Sequence, residues 1–470
     1  MFDAVVLSTS ATVIQVAEAF AMPESGVRFS VDADAVPTRT AAQLLASTVS
    51  LASVIPANLT APAVTPQQTV PQQVSDTAAL VSLTGLSLLQ QLALLQPQAL
   101  SDFVAGNPEV VQQLLDAPPV AHEVQSWWSG LGISARSGLM ASAPQLVGNL
   151  EGVPYSLRDY SNRSFLASSI AALDETTGGR SQEIDAGNRL RMLQKVSSAL
   201  VTEPGAAPRS LLSLDIAGSG TAAIAIGDIE SADVVTVLVP GMFYSVDGQV
   251  AAWATAAQNV YDEQRAWVGR TPSLEGTTIA TVAWIGYEAP SLVNFVTLDL
   301  AYKGRDALAR TVDGLHELRG ADQPYLSVVA HSYGSTATMM ALTDLGMQVD
   351  AVVLIGSPGS AAQQVGDLGV PGDNVYVGEA AWDQVKDSAF FGSDPGSISF
   401  GAKHFSVDGG VDPITGTPLL ESIGHDAYLV AGSESLRNIA LIALGQGSLV
   451  TTDASAAVAK AATAYRVTPR

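Results

Sequence analysis

The chain has 470 residues, 47% of them apolar and none of them cysteine, with a formal net charge of −23. That length predicts two domains with ample core. The acidity (pI about 4.4) excludes a basic nucleic-acid footprint and charge-driven docking on anionic lipid, and the missing cysteines exclude disulfides, thiolate chemistry and Cys-ligated zinc. No apolar run reaches the ~18–20 residues that a membrane helix needs, and Met1-Phe2-Asp3-Ala4 lacks the basic start of a signal peptide. Cytoplasmic location is the default expectation, with leaderless export left open.

Residues 1–205 read as a mainly helical region. Apolar residues recur at helical spacing over Ala11–Phe20, Ala78–Leu95 and Pro108–Leu115, and a longer helical stretch runs from about Arg163 to Leu200. Asn107-Pro108 looks like a helix start, with Asn capping and Pro in the first turn. Residues 61–73 carry several Pro and Gln and read as a linker. Trp127-Trp128 reads as core.

Residues 206–470 change texture. Strands are predicted over Leu211–Ile216, Thr221–Ile226, Val234–Val239, Thr278–Ile285, Leu326–Ala330, Ala351–Ile355, Asn374–Val377 and Ser397–Phe400. The first three follow one another closely, which suits an antiparallel start. Later intervals are long enough for crossover helices, and the strands there are continuously apolar. The expectation is a mostly parallel eight-stranded sheet with helices on both faces.

The strand at 326 runs into Ala330-His331-Ser332-Tyr333-Gly334 and then a helix. A serine on a sharp strand-to-helix turn is a nucleophile elbow, and small residues two before and two after it let backbones pass closely. A serine hydroxyl needs an imidazole base, which in turn needs a carboxylate to fix its tautomer. With chain order Ser, acid, His, the five histidines can be sorted. His122 and His316 precede Ser332, and His331 adjoins it on the wrong side of the turn. His404 and His425 are left, and His425, in a loop past the final strand, is favoured. For the acid, Asp383 lies just beyond the strand ending near Val377. Asp394 is its main rival, although Asp-Pro-Gly is ordinary turn chemistry; Glu379 and Asp387 stay open too. The oxyanion donors expected are the N–H of Tyr333 and, after the strand at 234, that of Met242, with Gly241 allowing close approach. Tyr287 and Glu288 end another strand at the ligand-binding edge and are candidates to line the pocket. No His-Glu-x-x-His spacing occurs, so neither metal nor cofactor is expected.

Motifs from about Leu146 to Leu441 resemble the actinobacterial α/β-hydrolases, a domain family of unknown function with a predicted Ser-Asp-His triad. They are Asn149-Leu150-Glu151-Gly152-Val153-Pro154 with Arg158-Asp159 and Asn162-Arg163, then Val239-Pro240-Gly241-Met242 and Trp284-Ile285-Gly286-Tyr287-Glu288. His331-Ser332-Tyr333-Gly334-Ser335, Gly356-Ser357-Pro358-Gly359, Phe400-Gly401-Ala402 and Gly424-His425-Asp426-Ala427-Tyr428 follow in order. The resemblance implies an α/β-hydrolase fold, Ser332 as nucleophile and His425 as base, and fixes the acid less firmly. The function expected is a serine esterase acting on an apolar, small-molecule ester, with residues 1–205 as a cap. The alternative is a non-catalytic hydrolase-fold protein whose helical region binds a partner.

Overall fold

The computed structural model describes residues 77–175, 179–290, 297–386 and 388–452. They fall in two units, 77–82 and 83–452. The first holds one helical turn, Thr77–Leu80. The helix expected over 11–20 and the linker over 61–73 lie outside the described residues.

The described residues of the larger unit begin with eight helices: α1 (Gly85–Leu92), α2 (Pro97–Gly106), α3 (Pro108–Asp116), α4 (Ala121–Gly130), α5 (Ile133–Ser142), α6 (Pro144–Asn149), α7 (Tyr155–Asp174) and α8 (Arg180–Ala199). Proline occupies the first turn of α2, α3 and α6, where its missing N–H costs nothing. Asn107 precedes Pro108 as expected but does not cap α3. Its Nδ2 donates backward to the Phe103 carbonyl at 2.8 Å, which satisfies the end of α2 instead. The helical stretch expected from about 163 to 200 is carried by α7 and α8, with α7 starting earlier, at Tyr155. Trp128 is buried, as expected of core.

Among the described residues, eight strands form one sheet: β1 (Arg209–Asp215), β2 (Thr221–Ile226), β3 (Val234–Val239), β4 (Ile279–Ile285), β5 (Tyr325–His331), β6 (Ala351–Ile355), β7 (Val375–Gly378) and β8 (Lys403–His404). Their order is β1-β2-β4-β3-β5-β6-β7-β8, antiparallel at β1/β2 and β2/β4 and parallel thereafter. This is the α/β-hydrolase arrangement. The eighth strand is not Ser397–Phe400. There, Asp394 Oδ1 accepts the Gly396 N–H and Ser397 bonds back to the Asp394 carbonyl, so Asp-Pro-Gly starts a run of turns. Pairing resumes only at Lys403, after Gly401 at φ 89°.

Strand residues alternate between two cores. Val235, Val237 and Val239 of β3 face α10 (Asp299–Arg319) and α11 (Tyr333–Leu345), while Val234 and Leu238 face α9 (Val246–Arg270) and α12 (Glu434–Ala443). Parallel strands covered on both faces are almost continuously apolar, and β3, β4 and β6 are buried at every position.

The helical region meets this sheet along β1. Asn149 Nδ2 donates to the Leu214 carbonyl and its Oδ1 accepts the Leu214 N–H, both at 2.9 Å. Asp159 accepts the Leu211 N–H at 2.6 Å, and Asn162 donates to the Leu211 carbonyl at 2.9 Å. Arg163 reaches the Arg209 carbonyl. Side chains of α6 and α7 thus occupy the backbone groups that an edge strand leaves open. Among the described residues, no helix is long and apolar enough to cross a membrane.

Candidate active site

Ser332 stands between β5 and α11 at φ 54°, ψ −131°, a conformation an L-residue adopts only under constraint. The constraint is visible around it. Its N–H donates to the Ile355 carbonyl of β6 at 2.9 Å. A Cβ on Gly334 would fall 2.4 Å from the Pro240 carbonyl oxygen, and one on Gly241 would fall 2.4 Å from Ser332 Cβ. Gly334 is therefore fixed by close backbone approach and Gly241 by the serine side chain packed against it. Ala330, by contrast, lies in regular register with Val239 and Leu354, so the elbow tolerates its methyl. Ser332 Oγ is buried and makes no hydrogen bond among the described residues.

Gly241 carries the β3–α9 loop against the serine, and Met242 follows it. The next residue, Phe243, sits at φ 63° and donates its N–H to the Pro290 carbonyl at 3.0 Å. Tyr287 anchors the same loop. It is 3% exposed, and its hydroxyl donates to the Pro240 carbonyl at 2.8 Å. Its polar atom is thus engaged in holding the loop. Glu288 is exposed just beyond it. The Tyr333 N–H, first in α11, has no partner within the helix, and the Tyr333 hydroxyl donates to the Thr297 carbonyl and accepts the Ala301 N–H.

Of the candidate acids, Asp383 is the one bonded to His425, with Nδ1 2.9 Å from Oδ1. The other carboxylate oxygen accepts the Tyr428 hydroxyl at 2.6 Å, and Oδ1 also accepts the Val385 N–H at 2.9 Å. Burial pushes this carboxyl up, but the His425, Tyr428 and Val385 hydrogen bonds outweigh it and hold it at about 2. The sequence pattern assigns Tyr428 no role, and its place three residues after His425 is the available signal. Asp394 spends Oδ1 on its own turn. Glu379 lies 3.8 Å from His404 of β8, and Asp387 lies outside the described residues. His122 is exposed beside Glu317.

His425 lies next to the elbow. A Cβ on Gly356, directly after β6, would fall 2.9 Å from its ring, and the His331 ring centroid is 4.5 Å from its own. His331 is 4% exposed, and burial, with His425 alongside, pushes its imidazole from 6.5 down to about 4. That shift has a sign in stability. Between pH 6.5 and 4 the unfolded chain binds a proton that the folded protein refuses, so this residue's contribution falls as pH drops through that window. Asp383 acts lower, its contribution being lost between about 4 and 2. Denaturant titrations from pH 7 to 4 should therefore show a shallower decline for His331→Gln than for the parent. Equal slopes would mean that His331 is not held neutral.

A family model described as Alpha/beta hydrolase matches residues 215–393. Uncharacterized protein Rv2079 of Mycobacterium tuberculosis is 28% identical over 403 residues, which cover 74% of this chain; the chain spans 59% of that relative's length. Uncharacterized protein Rv0963c of the same organism is 31% identical over 240 residues, 48% of this chain and 86% of the relative. Among solved structures, a Pyrobaculum calidifontis esterase aligns over 59% of this chain and 97% of its own, at 12% identity and a TM-score of 0.33.

Proposed function

The chain belongs to an actinobacterial α/β-hydrolase family, and from that premise we propose that it is a serine hydrolase that cleaves carboxylic esters through an acyl-enzyme on Ser332. One observation carries the reading: a serine in a constrained elbow conformation has, packed beside its turn, a histidine already bonded to a buried carboxylate.

In this mechanism His425 Nε2 takes the Ser332 proton as Oγ attacks the ester carbonyl. The Met242 and Tyr333 N–H groups receive the developing oxyanion. The imidazolium, stabilised by Asp383, returns the proton to the departing alkoxide. Water, deprotonated by the same imidazole, then attacks the acyl-enzyme, and the carboxylic acid leaves with Ser332 restored. Tyr287 enters as the residue that fixes the Pro240–Met242 loop, and Glu288 marks the exposed rim.

The apolar class of ester is supported by the surface beside the His425–Asp383 pair. Trp382, adjacent to Asp383, is 86% exposed at φ 62°, an unusual conformation for a bulky residue. Ile423, two residues before His425, is 55% exposed, and Ala381 bridges to it. An acyl chain laid across these side chains would bury apolar surface worth about 1.5–3 kcal/mol. With p-nitrophenyl esters, kcat/KM should rise from acetate to octanoate. Trp382→Ala should raise KM for the octanoate about tenfold and leave the acetate within about twofold. No hydrolysis of any ester would overturn the proposed activity, whereas an equal effect on both esters would overturn only the apolar rim.

A further inference from the structure

His425 lies on an arm with little regular structure. Between β8, which ends at His404, and α12, which starts at Glu434, the described residues form only the two-residue strands β9 (Gly410–Val411) and β10 (Pro418–Leu419) and the single turn Ala427–Leu429. A base must be held close to its productive position, because a displacement of about 1 Å can cost ~10²-fold in rate. Loops give that accuracy poorly unless they are tied to a rigid element.

One tie comes from a residue that the proposed mechanism leaves unused. His331, the last residue of β5, places Nε2 2.7 Å from the backbone carbonyl oxygen of His425. A carbonyl only accepts, so Nε2 carries the proton and His331 donates. Its Nδ1 is then bare, and it has no partner among the described residues. The ring is fixed on its other sides by the Tyr244 ring, 6.3 Å away, and the Tyr428 ring, 6.2 Å away. Because β5 is a buried central strand, its last residue moves little relative to the serine that follows it.

We infer that His331 is a positioning residue: its Nε2–H tethers the main chain of the base to the strand that carries the nucleophile, and so sets the distance between Ser332 and His425. His425 is then held through its ring by Asp383 and through its carbonyl by His331. The inference rests on the proposed role of Ser332 and His425. It also accounts for a histidine, rather than an apolar residue, at a buried position facing the base.

Three substitutions separate tethering from packing. The amide nitrogen of Gln reaches about where His Nε2 lies, that of Asn about where Nδ1 lies, and Phe keeps the ring volume with no donor. His331→Phe and His331→Asn should lower kcat for an ester about 10²-fold with KM within about twofold, and His331→Gln should stay within about threefold of the parent. A packing role predicts the reverse order, with Phe best. If His331→Phe fails to fold, the Gln and Asn pair decides, because the two differ in reach and little in polarity. Gln no better than Asn, or Phe equal to the parent, would overturn the tether while leaving the proposed activity standing. A parent protein that hydrolyses no ester and takes no fluorophosphonate would overturn both.

Discussion

Ser332→Ala should reduce ester hydrolysis to background, a fall of about 10⁴-fold or more in kcat, while the fold persists. The size follows from covalent catalysis: without Oγ there is no acyl-enzyme, and water must attack with only the oxyanion donors to help. The fold persists because Ser332 holds its place through its backbone, whose N–H bonds to Ile355, while its Oγ makes no bond among the described residues. Steady-state rates with a p-nitrophenyl ester and a thermal unfolding curve together check this. Retained turnover in the variant would remove Ser332 from the reaction.

Asp383→Asn should cost about 10³–10⁴-fold in kcat with KM little changed. A neutral amide cannot stabilise the imidazolium, and its N–H₂ can stabilise the wrong tautomer of His425. The Tyr428 hydroxyl, 2.6 Å from Oδ2, would remain to hold the side chain in place. Asp394→Asn is the control, because that carboxylate serves its own turn, and it should stay within about twofold of the parent. The opposite result, with Asp394→Asn inactive and Asp383→Asn active, would move the acid to position 394.

Much of the sheet was legible because parallel strands covered on both faces leave nearly continuous apolar runs, as at Ala351–Ile355 and, broken only by Thr236, at Val234–Val239. The eighth strand was not. Lys403–His404 is two residues long and carries no apolar run, whereas Ser397–Phe400 does carry apolar residues and is a turn. Asn107 shows a similar limit: its type and position fit a cap, and only the fold shows that its amide turns back to Phe103.

The Asn149, Asp159, Asn162 and Arg163 motif could be seen as a pattern but not understood. Its polar side chains look as suited to chemistry as to structure, and their partners are backbone atoms of β1, which leave no trace in sequence spacing. At the site, chain order and the elbow pattern brought out Ser332 and His425. The choice of Asp383 over Asp394 rests on which carboxylate lies beside His425 Nδ1, a three-dimensional fact. His331 was set aside because it precedes the serine. That argument holds for a base and does not reach a residue acting on the base's backbone.

The most direct test of the whole account is peptide mapping by mass spectrometry after treating the folded protein with a fluorophosphonate. A single adduct, approaching one per chain and located on Ser332, is the result expected. A folded protein that takes up no adduct, or takes it at another residue, would contradict the account.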